Sequence, residues 1–273
     1  MKTVKLEALR EEVARLERGS SRVASERFPL GEESIDAALG GGLTRGGMHE
    51  IFAQTTADEP NAAAFAIALC VRASEKKPVV WVRQDFVSVE AGELYAPGIA
   101  ELGLSPDRLI LVKARDGPAV LRAGEEAVRC SPLGAVIVEP WGAPKALDLA
   151  ASRRLALAAG QSGVSLFMVR AGAKPAPSAA ATRWSVSPAL SRALEADAPG
   201  HPSWQISLMR DRAGVSGRNW TVEWNRDDGV FTLPDRYRKA REVTQPRGAG
   251  EALAGAVVSV PAGGPDHAER LAG

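Results

Sequence analysis

The chain has 273 residues and a mass of 28.7 kDa, with 45% hydrophobic and 25% charged residues, enough to bury one substantial core with appendages. Its 34 Lys and Arg against 33 Asp and Glu leave a net charge of +1, which excludes a global attraction to nucleic acid or anionic lipid and makes any such contact local. The charged start MKTVKLEALREEVARLERG lacks the apolar region of a signal peptide, and no apolar run is long enough for a bilayer, so a cytoplasmic protein without membrane contact is expected.

Leu6, Leu9, Val13 and Leu16 recur at helical spacing in an otherwise charged stretch and predict an N-terminal helix over 1–18 with a narrow apolar stripe. Such a stripe either folds back on the core or docks on a partner. Residues 19–27, through GSSRVASER, read as a soft linker. From residue 28 onward IFA (51–53), VVWV (79–82), LILV (109–112), AVIV (135–138) and SLFMV (165–169) are short apolar runs that predict strands buried on both faces. Helical stretches are expected near 60–75, 91–102, 117–130 and 146–160. The alternation defines an α/β fold, a mostly parallel sheet with helices on both faces. WQISLMRDR, RNWTVEWN and GVFTL follow without intervening helices and predict an antiparallel extension near the C-terminus. The tail, 241–273, is expected to be disordered, with AVVSV as its one candidate for a short binding motif. Cys70 and Cys130 lack C-x-x-C spacing and read as small reduced core residues. No nucleophile elbow, metal cluster or pair of catalytic carboxylates is evident.

The sharpest local signal is EIFAQTTADEPN, residues 50–61. A strand runs through a polar loop into a helix, the frame of a phosphate-binding loop, which requires G-x-x-x-x-G-K-[ST]. Here Ala53 and Asp58 replace the glycines, Glu59 the lysine and Pro60 the hydroxyl. Glu59 exchanges an attraction for a repulsion of about 4 kcal/mol at ~4 Å and an effective dielectric near ~20. Pro60 removes a backbone donor and the magnesium ligand together. The loop instead reads as a self-capped helix start, with Asp58 as N-cap and Glu59 as a first-turn acid, so neither a nucleotide cofactor nor a metal is expected.

FPLGEESIDAALGGGLTRGGMHEIFA, followed by WVRQD, AVIVEP, SLFMVRAG and WQISLMRDRAG, resembles RecA-type recombinases over residues 28–233, which implies a RecA-like core over 28–240. Together with the degenerate loop, the N-terminal stripe and the ending RWSV…WQISLMRDRAGVSGRNWTVEWN, the chain is similar to the ImuA family, RecA-like members of bacterial damage-induced mutagenesis cassettes. The resemblance places Asp85 at the catalytic-acid position, Glu139 at the Walker B acid and Arg170 at the γ-phosphate sensor. It places Arg210 and Arg212 where filament-forming relatives reach a neighbour's nucleotide. Here they would meet Asp58 and Glu59 of an adjacent subunit or remain a solvated pair. AGAKPAPSAAATR falls where a DNA-binding loop is inserted; Lys174, Arg183 and Trp184, with Trp141, are the candidate DNA contacts, and a flexible spacer is the plainer reading. The implied function is a non-catalytic adaptor of error-prone translesion synthesis, with partner contacts through Leu6, Leu9, Val13, Leu16, Arg210 and Arg212. Implied partners are an ImuB-like inactive Y-family polymerase homologue, an error-prone polymerase complex, RecA and a second copy of the chain. Two alternatives stay open: an ATP-dependent recombinase or ATPase with an atypical loop, and a SulA-like cell-division inhibitor, for which no motif argues.

Overall fold

The computed structural model describes residues 26–234, apart from 192, 194, 195, 197 and 199. The stripe residues Leu6, Leu9, Val13 and Leu16 and the tail 241–273 lie outside the described residues. In chain order the elements are β1 (Arg27–Phe28), α1 (Glu33–Ala38), β2 (Leu43–Thr44), β3 (Met48–Ala53), α2 (Glu59–Ser74) and β4 (Val79–Gln84). Then come α3 (Asp85–Ala91), α4 (Ala96–Glu101), β5 (Leu109–Ala114), α5 (Gly117–Val128), β6 (Ala135–Glu139), α6 (Leu149–Ser162) and β7 (Ser165–Arg170). The last strands are β8 (Thr182–Pro188), β9 (Ser203–Asp211), β10 (Arg218–Asn225) and β11 (Val230–Thr232).

Nine strands form one sheet in the order β11-β10-β9-β8-β3-β7-β6-β4-β5. From β8 to β5 all neighbours are parallel, as expected where β-branched runs are covered on both faces by crossover helices. From β8 to β11 they are antiparallel, and β10 and β11 are joined by the turn 226–229. Helix α2 packs on β3, β6, β7 and β8, and α5 and α6 pack on the opposite face. The α2 core is aromatic: Phe65 meets Trp184, Trp204 and Phe231, and Trp224 packs on Phe231. Gly42, in the glycine turn before β2, has φ +112°, and a Cβ there would collide with the Phe28 carbonyl, so no other residue fits.

The RecA-like mixed sheet predicted from the sequence is present, with three local differences. The helix predicted over 91–102 is reduced to the short α4, started by Pro97, and a helix not predicted, α3, precedes it and ends at Gly92. LILV is not buried on both faces: β5 is the outer strand, and Ile110 and Leu111 are 52% and 40% exposed. Cys70 is buried as expected, whereas Cys130, just past α5, is exposed. Among the described residues no helix is long and apolar enough to cross a membrane.

Candidate functional site

In an open parallel sheet ligands bind beyond the C-terminal ends of the strands, and the N-terminus of the helix after β3 would cradle a phosphate. Here the chain fills that seat itself. Thr55 donates its backbone N–H and its hydroxyl to Asp58 Oδ2 at 3.0 and 2.9 Å, which ties the loop into a 3-10 turn over Thr56–Asp58. Asp58 therefore stands at the N-cap position of α2 without its side chain capping that helix. Pro60 lies in the first turn as expected. Glu59 is not a solvated first-turn acid; it is 1% exposed and turns inward beneath α2.

Glu59 meets two residues from the strand ends. On β4, Trp81 and Arg83 share the α2 face with Glu139 of β6, with Arg83 paired directly opposite Glu139 in the ladder. Arg83 Nε donates to Glu139 Oε2 at 2.9 Å, and Trp81 Nε1 donates to the same oxygen at 2.9 Å. The Arg83 guanidinium also reaches Glu59 Oε1 at 3.9 Å and donates to the Gly92 carbonyl at 2.7 Å. Burial is the main cause that raises the Glu139 pKa well above its usual value, followed by the hydrogen bond to Glu59 and the charge of Glu59; Arg83 and Trp81 oppose it. Oε1 of each glutamate lacks any other partner. A proton on Glu139 would let it donate to Glu59, and the cluster would then carry one negative charge against the single positive charge of Arg83. The position the fold reserves for phosphates and their metal is thus filled by a buried, charge-paired plug.

A second buried cluster lies on the opposite face of the sheet. Glu50 of β3, 1% exposed, accepts from Arg183 Nε of β8 at 2.9 Å and from the Ser178 hydroxyl at 2.7 Å, and pairs with Arg170 of β7 at 3.4 Å. Arg170 and Arg183 both lie over the Phe52 ring, 5.4 and 5.7 Å from its centroid. Arg183 also donates to the Ala176 carbonyl at 2.6 Å. Burial lowers the Arg170 pKa, and Glu50 opposes that shift.

These clusters place the sequence candidates. Asp85 is exposed at the start of α3 and outside the plug; Gln84 beside it accepts the backbone N–H of Trp141 at 3.0 Å, so the charged residue β4 supplies is Arg83. Glu139 is at the plug's centre. Arg170 is committed to Glu50 rather than to a ligand. Trp184 is fully buried against Phe65 and donates to Thr182 Oγ1, which removes it as a base-stacking platform, and Arg183 is held by Glu50 rather than presented to a backbone. Lys174 is exposed. The spacer reading of 171–183 is corrected in part: Ala179 and Ala180 are buried, and Ser178 and Arg183 pin the segment to the sheet. Trp141 is half-buried against Phe86. Arg210 and Arg212 are exposed, and among the described residues the Arg210 side chain reaches only the Ser178 carbonyl, at 3.4 Å. The bridge from them to Glu59 of a neighbour is ruled out, because Glu59 is sealed inside its own chain. Glu50, Arg83, Ser178 and Trp81 were not singled out in the sequence. The available signal was a charge inside a strand otherwise apolar on both faces, as in MHEIFA and VVWVRQ, which requires a buried counter-charge. Among the described residues no group of His, Cys, Asp and Glu is placed to hold a metal.

The fold and the loop–helix frame define a RecA-like protein. A crystal structure of the RadB recombinase matches with a TM-score of 0.51 at 14% identity, covering 76% of this chain and 99% of that one. No protein-family model matches the sequence. Over 219 residues the chain is 36% identical to the ImuA proteins of Caulobacter vibrioides strains NA1000/CB15N and ATCC 19089/CB 15, covering 74% of this chain and 85% of each relative. The chain belongs to the ImuA family.

Proposed function

We infer that this protein is a non-catalytic component of a DNA-damage mutagenesis cassette, a RecA-like scaffold that contacts proteins and turns over no nucleotide. The observation that carries the reading is the plug: Glu59, Arg83 and Glu139 are each 2% exposed or less and satisfy one another where a triphosphate and its metal would lie. A nucleotide would have to displace a buried ion pair, face Glu59 and forgo both the lysine and the hydroxyl. Family membership supports the cassette role. On this reading the partners are a polymerase-like protein without polymerase activity and, through it, an error-prone polymerase, reached by surfaces outside the plug.

Calorimetric titration of the full chain with Mg-ATP tests the first half; no heat of binding at micromolar nucleotide is expected. Micromolar binding that is lost in Asp58→Ala and Glu59→Ala would overturn it. Affinity purification of the tagged chain from cells after DNA damage tests the second half, with a polymerase-like protein expected as the main companion. Recovery of the chain alone, from cells that contain such a protein, counts against the adaptor.

A further inference from the structure

We propose that the outer edge of β5 is a strand-docking site, covered in the full chain by residues 256–260 of its own C-terminal tail. Strand β5 ends the nine-stranded sheet, and among the described residues no strand or loop bonds its outer side. A natural edge strand is usually blunted by proline, by several charges or by shortness. Here LILVKA has six residues, no proline and one charge, Lys113, which Glu93 holds at 2.7 Å. Its exposed apolar side chains lie on both faces of the sheet: Ile110, in register with Val80, on the α5 face, and Leu111, in register with Trp81, on the α2 face. An added strand would therefore meet apolar surface above and below while its backbone completes the ladder.

The occupant must be uncharged, rich in β-branched residues and apolar on both faces. In the 39 residues beyond Pro234 one stretch comes nearest this description, Ala256-Val257-Val258-Ser259-Val260, bounded by Gly255 and Pro261, apolar but for Ser259 and one residue shorter than β5. As a strand it would place Ala256, Val258 and Val260 on one face and Val257 and Ser259 on the other. Reach allows it: β11 and β5 are opposite edges of the sheet, about 38 Å apart at ~4.8 Å per strand, and the 21 residues of 235–255 extend to about 70 Å. The tether also gives the segment an effective concentration on the order of millimolar, above that of any second copy in dilute solution. The consequence is a self-covered edge that a stronger strand from a partner can displace. This proposal is independent of the plug and of any reading of nucleotide binding.

Hydrogen exchange read by mass spectrometry on three proteins tests it: the full chain, a chain ending after residue 250, and the full-length Val258→Pro variant, which removes a ladder donor. Peptides spanning 109–114 should exchange roughly tenfold faster in the second and third proteins, with β3, β6 and β7 unchanged as the control for folding. In the full chain the protection should be unaltered by a roughly hundredfold dilution. Equal exchange in all three overturns the proposal, and protection lost on dilution also overturns it, by assigning the edge to a second copy.

Discussion

Arg83 of β4 and Glu139 of β6 are cross-strand partners whose side chains meet at 2.9 Å, with 3% and 0% of their side-chain surfaces exposed. A pair so deep is weak evidence for stability in itself, since desolvating two charges costs about as much as their attraction returns. Removing one member is another matter. Arg83→Ala leaves two buried acids with one proton between them, and should lower unfolding free energy by about 3–5 kcal/mol in urea titrations. Arg83→Met combined with Glu139→Gln and Glu59→Gln leaves no charge in the cluster and should cost clearly less than Arg83→Ala alone. Equal losses would mean that the pairing has no energetic role.

The same cluster predicts a stability that falls as pH rises above about 4.5. The folded-state pKa of Glu139 lies well above its usual 4.5, so the folded protein holds a proton that the unfolded chain releases. The resulting stability is fully present below about 4.5 and is lost as pH rises through the folded pKa. Glu139→Gln fixes the neutral form: the amide N–H can donate to Glu59, and its oxygen can accept from Trp81 and Arg83. Its unfolding midpoint should therefore be flatter with pH from about 4.5 upward than that of the parent chain, a difference visible in paired thermal melts across that range.

The parallel core was legible because β-branched runs of four to five residues, separated by helix-length segments, have few other solutions. Asp58, Glu59 and Pro60 likewise mark a loop that departs from the phosphate-binding pattern. What stayed hidden was the direction of Glu59. First-turn acids usually face water, and only the three-dimensional approach of Arg83 makes an inward carboxylate tenable. Asp85 drew attention as the next acid along β4, yet strand alternation puts Arg83 on the face of Trp81 and Glu139, and Asp85 already belongs to α3. Trp184 is a candidate base contact only by its place after the segment where a DNA-binding loop is inserted in RecA-like relatives; its ring instead completes the aromatic core under α2.

His49 gives the complementary acid-side prediction. It is stacked on Phe167 and buried, with Nε2 against the Thr44 carbonyl at 3.1 Å and Nδ1 against Thr182 Oγ1 at 2.8 Å, while Trp184 donates to that same hydroxyl. The network fits one tautomer, with Nε2–H donating to Thr44 and the Thr182 hydroxyl donating to Nδ1. Burial lowers the pKa from 6.5 to about 4. The unfolded chain therefore takes up a proton first, and stability falls as pH drops from 6.5 towards 4, by about 3 kcal/mol in all. Glu139 acts in the opposite sense above about 4.5, so the slope is read as the difference between the urea midpoints of the parent chain and of His49→Gln across that window.

Arg183 and Trp184 are expected to behave as structural residues. Arg183→Ala strips Glu50 of its two-nitrogen partner and should cost about 3 kcal/mol, whereas Arg183→Lys should recover only part of that, because one ammonium cannot match the fork. Trp184→Phe should lower the melting temperature through lost packing against Phe65 and the lost bond to Thr182. Retention on single-stranded DNA, if the parent chain shows any, should be unchanged by Trp184→Phe at every salt concentration. A selective loss of retention with normal stability would contradict the buried placement of that ring.

Arg210 and Arg212 differ from Arg183 in being free to act outside the molecule. Both are exposed on the β9 end, and the polar contact made by the Arg210 side chain is a long one, 3.4 Å to the Ser178 carbonyl. Exposed charges of this kind contribute about 0–1 kcal/mol to folding, so the double variant Arg210→Ala, Arg212→Ala should melt within a degree or two of the parent. If this end of the sheet meets an acidic surface on a partner, the same variant should associate more slowly and with a weaker dependence on salt, since rim charges act mainly on the encounter rate. Measuring association rates by surface plasmon resonance at two ionic strengths separates the cases. Unchanged rates at both would assign the arginines to a solvated hairpin and move the partner surface elsewhere on the sheet.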